Sequence, residues 1–274
     1  MQILNSILNT FFDLVLAPMR SFNPFWSLFI FSVPAGILLV LIFRYTSDQG
    51  AIRETKDRIK GHMLEIRLFK DNPGVLMSAF GSILVYNFKY MRHAVRPMLF
   101  MVVPVLFMLV QLDAWYGYRP LRTGESAVFS VRLSGSDGRV VDNITLQADD
   151  GLTVETPPLR IPEEKEADWR IRADKAGNHK VAVRVRGKTV EKTITVSGNP
   201  GRVSVKRTSA GFWERLFNPG EKPIPEDSGI KEISVEYPLG SIYVLGWSMH
   251  WLMVFFLLTL ITGFAFKGFF RVEL

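Results

Sequence analysis

Three stretches of this chain carry no lysine, arginine, aspartate or glutamate and indicate membrane spans. They cover residues 24–43, 97–112 and 237–266, and the second reaches spanning length with the apolar Ala94, Val95, Trp115 and Tyr116 beyond its charged flanks Arg96 and Asp113. A transmembrane helix needs about 20 apolar residues, because the hydrocarbon core of a bilayer is roughly 30 Å thick. The pattern therefore predicts three transmembrane helices, and the third is long enough to tilt or to extend into the interface.

A different helical pattern precedes the first span, in residues 1–22. Its apolar and polar positions fall on opposite faces of a helix. The apolar face holds Ile3, Leu4, Ile7, Leu8, Phe11, Leu14 and Val15, and the polar face holds Gln2, Asn5, Ser6, Asn9, Thr10 and Asp13. Such a helix is expected to lie in the membrane surface, although the same periodicity suits a helix packed against the spans. No basic residue precedes Arg20, which is not the pattern of a signal peptide.

Residues 49–93 are predicted to form a helical hairpin between the first two spans. A charged helix with a narrow apolar stripe is broken by the sequence Asp71-Asn72-Pro73-Gly74. The stripe holds Ile52, Ile59, Met63 and Ile66, and the apolar face of the second helix holds Leu76, Met77, Phe80, Ile83, Leu84 and Phe88. So short a turn makes the helices antiparallel, so we expect these two faces to meet. In the alternative, residues 74–88 form a fourth span and the later polar region is cytoplasmic.

The polar region after the second span has the period-two alternation of β-strands. The alternation is clear in residues 126–134, 167–173 and 179–186. Turn sequences separate the strands: Asp137-Gly138, Asp150-Gly151 and Ala176-Gly177-Asn178.

These strands predict a two-sheet β-sandwich over residues 120–207. Its segment 168–197 resembles the last strands of immunoglobulin-like domains. The chain has no cysteine, so the core has to hold the sandwich without a disulfide. Residues 208–236 are predicted to be a linker, with a short amphipathic piece at residues 211–217 that touches the membrane. The third span and a cytoplasmic tail would then fill residues 237–274.

The basic residues predict the orientation of the spans. Ten lysines and arginines lie between the first two spans, whereas Arg20 is the one basic residue before the first. Short cytoplasmic loops carry an excess of lysine and arginine. We therefore expect the hairpin and the C-terminus in the cytoplasm, and the N-terminus and the sandwich outside a bacterial cytoplasmic membrane. The net charge of +7 comes chiefly from the hairpin, so DNA is not an expected partner.

The fold class predicted by these patterns is a membrane α-helical protein, with three transmembrane helices over residues 23–116 and 237–274 and a cytoplasmic hairpin, joined to an all-β immunoglobulin-like sandwich. Nothing in the sequence indicates an enzyme, a metal site or a cofactor. The histidines are scattered without metal-ligand spacing at His62, His93, His179 and His250. Neither a phosphate-binding loop nor a nucleophile elbow is found.

The order of these elements resembles the YidC/Oxa superfamily of membrane protein insertases, in its short three-span form. The matching features are an amphipathic first helix, a span that ends in Arg44, a cytoplasmic hairpin and a second span that opens with Pro97. The resemblance implies an insertase or membrane chaperone without covalent chemistry. Its spans would form a polar groove, open to the cytoplasm and to lipid, that guides hydrophobic client polypeptides into the bilayer.

By this resemblance Arg44 takes the place of the groove arginine, with Tyr45, Thr46 and Ser47 beside it. Gln111, Thr259 and Thr262 would add polarity if they face the groove. The alternative for Arg44 is an anchor at the end of a span. For the other side chains it is ordinary packing between helices.

A second predicted contact surface lies on the hairpin, where Arg53, Lys56, Arg58 and Lys60 would meet a ribosome, a targeting factor or anionic lipid. The alternative is a solvated face, balanced by Glu54, Asp57 and Glu65.

The sequence also departs from the family pattern. Pro97 is followed by the apolar run 98–102, so the groove would be less polar, and the chain ends Arg-Val-Glu-Leu without a basic tail for ribosome docking. A different class of function stays open, in which the spans anchor a scaffold whose sandwich binds a periplasmic envelope partner.

Overall fold

The computed structural model describes residues 2–135, 143–209 and 211–272. The chain combines helices with antiparallel β-sheets and divides into two compact units. The first, the β unit, comprises Met1–Ser27 and Met108–Val254. The second, the helical unit, comprises Leu28–Phe107 and Phe255–Leu274. The turn predicted at Asp137-Gly138 lies outside the described residues.

The helices follow the predicted order with one difference in the hairpin. The α-helices of the described residues are α1 Gln2–Leu16, α2 Pro24–Thr46, α3 Gln49–Leu68, α4 Pro73–Leu112, α5 Phe212–Phe217 and α6 Trp251–Lys267. A 3₁₀ turn at Ala17–Ser21 follows α1, and a π-helical turn at Asp113–Gly117 follows α4. Two of the helical segments, Pro24–Thr46 and Pro73–Gly117, are long and apolar enough to cross a membrane by length and composition, and α6 is a shorter apolar helix.

Helix α4 unites two elements that the sequence pattern separates, the second hairpin helix and the second span. It is 40 residues long, and Pro97, predicted to open a span, lies inside it together with Pro104. A proline removes one main-chain hydrogen bond but does not have to end a helix, and apolar helices tolerate it well. Residues 74–88 therefore continue without a turn into the rest of α4 and do not form a separate span.

Side-chain caps explain the hairpin boundaries. Asp48 accepts a hydrogen bond from the main-chain N–H of Ala51, at 3.0 Å, and begins α3. Asn72 accepts bonds from the N–H groups of Gly74 and Val75, at 3.1 and 3.3 Å. Pro73 follows in the first helical position, where its missing N–H is no loss.

The β unit contains two antiparallel sheets and a separate hairpin. The larger sheet has the strand order β3-β5-β1-β9-β8, with β4 also paired to β5, and the smaller has the order β2-β6-β7. Strands β10 and β11 form the hairpin. The strands are β1 Ser126–Leu133, β2 Thr145–Ala148, β3 Leu152–Val154, β4 Leu159–Ile161, β5 Glu166–Ala173, β6 Gly177–Val185, β7 Lys188–Val196, β8 Lys206–Thr208, β9 Ile230–Val235, β10 Ile242–Val244 and β11 Trp247–Met249.

Alternate side chains of both sheets share one hydrophobic core. Phe129 of β1 and Ile171 of β5 are fully buried, as are Val183 of β6 and Ile194 of β7. The ring of Phe129 meets that of Trp169 edge to face, with centroids 6.4 Å apart. The period-two pattern of the sequence thus predicts the inward faces of both sheets.

Two segments differ from the sequence prediction. The predicted linker 208–236 contains β9, which lies between β1 and β8 in the larger sheet. The predicted start of the third span, Tyr237, is instead buried in the β core, where its hydroxyl oxygen accepts a hydrogen bond from the N–H of Thr195, at 3.0 Å. Helix α6 begins only at Trp251, because the apolar residues before it pair as β10 and β11.

Candidate functional site

Arg44 and its three neighbours lie at the C-terminal end of α2, where Arg44 and Tyr45 are exposed and Thr46 and Ser47 are half-buried. The guanidinium carbon of Arg44 lies 5.8 Å from the centroid of the Tyr45 ring, and both side chains are exposed. The hydroxyls of Thr46 and Ser47 donate to main-chain carbonyls one turn earlier in α2, each at 2.6 Å. Among the described residues Arg44 has no ion-pair partner, and its charge is exposed.

Thr259 and Thr262 are packing residues of the helical unit. Both are buried, and their hydroxyls donate to carbonyl oxygens of their own helix, Thr259 to Phe255 at 2.9 Å and Thr262 to Leu258 at 2.8 Å. They lie against Gly36 of α2, where an added Cβ would come within 2.9 Å of the Thr262 Cβ and 3.0 Å of the Thr259 carbonyl oxygen. The small residue therefore lets α2 and α6 approach closely.

Gln111 is likewise enclosed, in the β unit. Its amide nitrogen donates to Asn9 Oδ1 at 2.9 Å, and its amide oxygen accepts from Arg202 at 3.4 Å. The side chain is almost fully buried. Of the seven residues predicted for the groove, the structure thus brings together the consecutive four, 44–47, and engages the other three elsewhere.

The partner of Gln111, Arg202, is the centre of a polar cluster that the sequence pattern does not indicate. Its guanidinium donates to both carboxylate oxygens of Asp13, each at 3.2 Å, and to Asn9 Oδ1 at 2.5 Å. Asn9 in turn donates to the carbonyl of Pro219 at 2.8 Å. Burial lowers the pKa of Arg202, and the neighbouring Asp13 carboxylate only partly offsets it.

This cluster changes the predicted surroundings of the polar face of α1. The polar side chains of Asn9 and Asp13 bond Arg202, although Asp13 stays partly exposed, and the apolar side chains of Ile7, Phe11 and Leu14 are exposed. The local pattern could not show this, because Arg202 lies far along the chain in a loop without periodicity. An exposed apolar face on α1 keeps the expectation that this helix lies on a membrane surface.

Helices α3 and α4 meet in the antiparallel sense expected of the hairpin. Arg58 donates to the Tyr86 hydroxyl at 3.4 Å, and the His62 ring stacks on the Tyr86 ring with centroids 5.6 Å apart. One turn towards the start of α3, the Lys56 ammonium lies 5.8 Å from the centroid of the Tyr90 ring. Increasing numbers on α3 thus meet decreasing numbers on α4.

The predicted docking residues of α3 remain largely at the surface. Arg53, Arg58 and Lys60 are exposed and Lys56 is half-buried. Two of them pair with carboxylates of their own helix, Arg58 with Glu54 at 3.1 Å and Lys60 with Asp57 at 3.3 Å. The surface is therefore a mixed-charge helix face, and its net positive charge is smaller than four basic residues alone would give.

The apolar face of α4 is where the structure departs most from the predicted hairpin packing. Leu76 and Ile83 are half-buried, but Met77, Phe80, Leu84 and Phe88 are exposed, as is Met63 of α3. The reason is that α4 carries apolar or aromatic residues on two faces. At 100° per residue, the side that meets α3 through Tyr86 and Tyr90, and that also carries the buried Ala79, lies opposite the exposed side chains.

The exposed face continues along α4 as one apolar stripe. It consists of exposed residues at helical spacing, without a charged residue among them: Met77, Phe80, Leu84, Phe88, Met91, Val95, Met98, Leu99, Val102 and Leu106. We call this set the α4 stripe. The basic residues of the same helix, Lys89, Arg92 and Arg96, lie to one side of it.

No group of histidine, aspartate and glutamate residues in the described part of the chain is arranged to hold a metal ion. Comparisons of the chain with protein-family models, with curated proteins and with solved structures found no match. The function therefore has to be argued from the residues and their geometry alone.

Proposed function

We propose that this chain is a membrane protein insertase or membrane chaperone of the YidC/Oxa type. In this proposal α2, the C-terminal half of α4 and α6 cross a bacterial cytoplasmic membrane, with the N-terminus and the β unit outside and the α3–α4 hairpin inside. The low burial of the apolar helices supports it: 33% and 17% of the most apolar stretches of the two candidate spans are buried. The core helices of a water-soluble protein would be mostly covered by protein.

The β unit would then be an exported domain with an immunoglobulin-like arrangement. Support comes from its two antiparallel sheets around one core and from Trp169, buried on β5 against Phe129. The domain has no disulfide, since the chain has no cysteine.

The α4 stripe is the observation that carries the proposal. A helix of 40 residues is roughly 60 Å long, at about 1.5 Å per residue, and a bilayer core takes up roughly half of that. The first half of α4 would project into the cytoplasm beside α3 and still expose Met77, Leu84 and Phe88. An apolar surface that runs from water into lipid gives a hydrophobic client segment a continuous path.

Arg44 adds a fixed positive charge at the cytoplasmic end of α2 in this topology. Moving a charged side chain to the centre of a bilayer costs about 2.5–3.5 kcal/mol on insertion scales. A cation that is not engaged in an ion pair lowers this cost for an acidic client tail, because it attracts the carboxylate at the start of the crossing. The exposed Tyr45 and the half-buried hydroxyls of Thr46 and Ser47 add polar atoms beside it.

Site-specific photo-crosslinking to newly made membrane proteins tests the proposal. A photoreactive residue at Phe88, on the stripe, should crosslink to client segments during their insertion. The matched control is Lys89, which is exposed at the same height but lies 100° around the helix. Equal crosslinking at both positions would show that α4 has no client path.

The role of Arg44 is tested by charge reversal. Arg44→Glu should reduce the insertion of clients with acidic translocated tails, and Arg44→Lys should preserve it. If both variants insert such clients as well as the natural chain does, Arg44 is only an anchor.

A second candidate function is a membrane-anchored scaffold whose β unit binds an envelope partner. The burial of Gln111, Thr259 and Thr262 favours it, because a polar groove would expose these side chains. The same crosslinking separates the two functions. A scaffold would give one constant envelope partner on the β unit, for example at the exposed Leu159, and no translation-dependent clients at Phe88.

A further inference from the structure

The hairpin β10–β11 has an apolar tip on a tight turn. Ile242 pairs with Met249 and Val244 with Trp247, which leaves a turn of two residues, Leu245 and Gly246. Both turn residues have left-handed backbone conformations, with φ of 51° and 87°. This is the geometry of a type I′ turn, which strongly prefers Asn-Gly or Gly-Gly.

Leucine at this turn is not explained by the fold. A left-handed conformation is uncommon for residues other than glycine, asparagine and aspartate. Leu245 gains nothing from packing either, because it is 99% exposed. The backbone conformation disfavours leucine here, and packing within the chain does not compensate. A contact with something outside the chain would explain this residue.

The residues that flank the turn add exposed aromatic side chains to the exposed leucine. Tyr243 is 64% exposed and Trp247 is 78% exposed, whereas Ile242 at the root of the hairpin is buried. The hairpin is therefore fixed at its base and presents a leucine between two aromatic rings. Tyrosine and tryptophan are the residues enriched where a membrane meets water.

We infer that this tip inserts into the interface of the outer leaflet, as a lipid contact of the β unit. The inference rests on the membrane placement in the proposed function. Only His250 separates the hairpin from α6, the apolar helix proposed to cross the bilayer. No lysine, arginine, aspartate or glutamate occurs in residues 237–266, so the contact is apolar and does not depend on anionic lipid.

The length of the hairpin suits insertion into the membrane interface. At about 3.3 Å per residue, the tip reaches roughly 10 Å from the base of the strands. Apolar faces of interfacial segments sink about 5–10 Å into the boundary of headgroups and acyl chains. The tip is long enough to reach this layer and too short to cross the membrane.

Fluorescence quenching on the full-length chain in lipid nanodiscs tests the inference, and the natural absence of cysteine makes single-site labelling direct. Leu245→Cys carries an environment-sensitive fluorophore. Two exposed positions serve as references: Leu159→Cys on β4 for water and Phe256→Cys on α6 for lipid. Quenchers are a nitroxide attached to lipid near the headgroup and a water-soluble ion.

The expected result is that lipid nitroxide quenches the probe at Leu245 and the aqueous ion quenches it weakly, with the opposite pattern at Leu159. Aqueous quenching at Leu245 equal to that at Leu159, with Phe256 in lipid, would overturn the hairpin contact and leave the proposed spans intact. If the Phe256 probe is also in water, the proposed membrane function itself fails. Shielding of Leu245 from both quenchers would overturn the inference in favour of a protein partner.

A second variant guards against distortion of the turn by the label. Leu245→Asn suits the left-handed turn better than leucine, so the thermal stability of the β unit should be retained or raised. A probe at Tyr243→Cys should nevertheless lose its quenching by lipid nitroxide when Leu245→Asn is added. Unchanged quenching in this double variant would also contradict the inference.

Discussion

The two packed β-sheets and the α4 stripe place their large apolar side chains in opposite ways. Phe129 and Ile171 of the β unit are fully buried in a core shared by two sheets. In the helical unit Phe88 is 72% exposed, and it belongs to a stripe that runs along most of α4. The two sheets therefore bury the apolar side chains that stabilise them, whereas α4 leaves a long apolar surface exposed.

One ion pair from each unit shows a similar contrast. In the β unit the Lys192 ammonium is fully buried and bonds Glu221 at 2.5 Å and the Ser204 hydroxyl at 2.8 Å. In the helical unit the pair Arg58–Glu54 is more than half exposed at both ends. A buried pair costs stability when one partner is lost, whereas a surface pair contributes little.

The largest expected change in stability distinguishes buried apolar residues of the β-sheets from exposed apolar residues of the α4 stripe. Phe129→Ala should destabilise the β unit by on the order of 4 kcal/mol, because it removes a buried ring and leaves a cavity against Trp169. Phe88→Ala should change the unfolding free energy by less than about 0.5 kcal/mol, because its side chain already faces outward. Denaturant unfolding of the full chain in nanodiscs, followed by protease sensitivity of each unit, measures both.

If Phe88→Ala destabilised the helical unit as strongly as Phe129→Ala destabilises the β unit, the exposed stripe would have to be a packed core and the comparison would fail.

The next effect concerns the buried ion pair. Lys192→Met should destabilise the β unit by on the order of 3 kcal/mol, because it leaves the Glu221 carboxylate buried without its cation. The double variant Lys192→Met/Glu221→Leu should recover most of this loss, since two apolar residues replace both charges. Urea midpoints of the β unit measure the difference. Equal losses in the single and the double variant would show that packing, not charge, holds this site.

The sequence pattern predicts well the elements whose signal is local. The strands β1, β5 and β6 match the predicted alternation within a few residues, and the helices α2 and α3 match the uncharged run and the charged segment that Asp71-Asn72-Pro73-Gly74 breaks. These elements follow from side-chain periodicity and from caps within a few residues along the chain.

Other elements depend on distant partners or on competing signals. Strand β9 has alternating apolar residues, but its place between β1 and β8 requires neighbours about 100 and about 25 residues away in sequence. The apolar residues 242–249 pair as strands although their composition suits a span, and Pro97 does not end α4. The cluster around Arg202 could not be predicted, since no local pattern links a loop arginine to Asn9 and Asp13.

A smaller effect tests the close packing inside the helical unit. Gly36→Ala should destabilise this unit by about 2 kcal/mol, because the new methyl group meets Thr262 at 2.9 Å. Gly81 of α4 is the matched control, since an added Cβ meets nothing within 4 Å there. Gly81→Ala should stabilise the helix by about 0.5–1 kcal/mol through backbone entropy. Resistance to denaturing detergent measures both, and a loss of stability in Gly81→Ala would show that the stripe side of α4 is covered.

The smallest expected effect is the loss of β-unit stability as Glu221 is protonated in acid. Burial by itself raises the pKa of this carboxyl, but the Lys192 ammonium and hydrogen bonds from Lys192, from the Thr193 N–H at 2.7 Å and from the Ser204 hydroxyl at 2.9 Å together lower it below its usual value. A carboxyl with a lowered pKa binds fewer protons in the folded chain than in the unfolded chain. Its contribution to the free energy of unfolding is therefore fully present at pH values above the ordinary pKa of a carboxyl group. This contribution is lost as pH falls through the lowered pKa of the folded chain.

Urea midpoints of the β unit from about pH 7 to about pH 3 should thus stay level at first and then decline. The double variant Lys192→Met/Glu221→Leu lacks this carboxyl and should decline less steeply. In the helical unit the pairs Arg58–Glu54 and Lys60–Asp57 are exposed and should contribute little change over the same range, because solvent already screens these carboxylates in the folded state. Equal acid slopes in the natural chain and the double variant would mean that other carboxylates govern the acid response, and the contrast between buried and exposed charge would then not extend to pH.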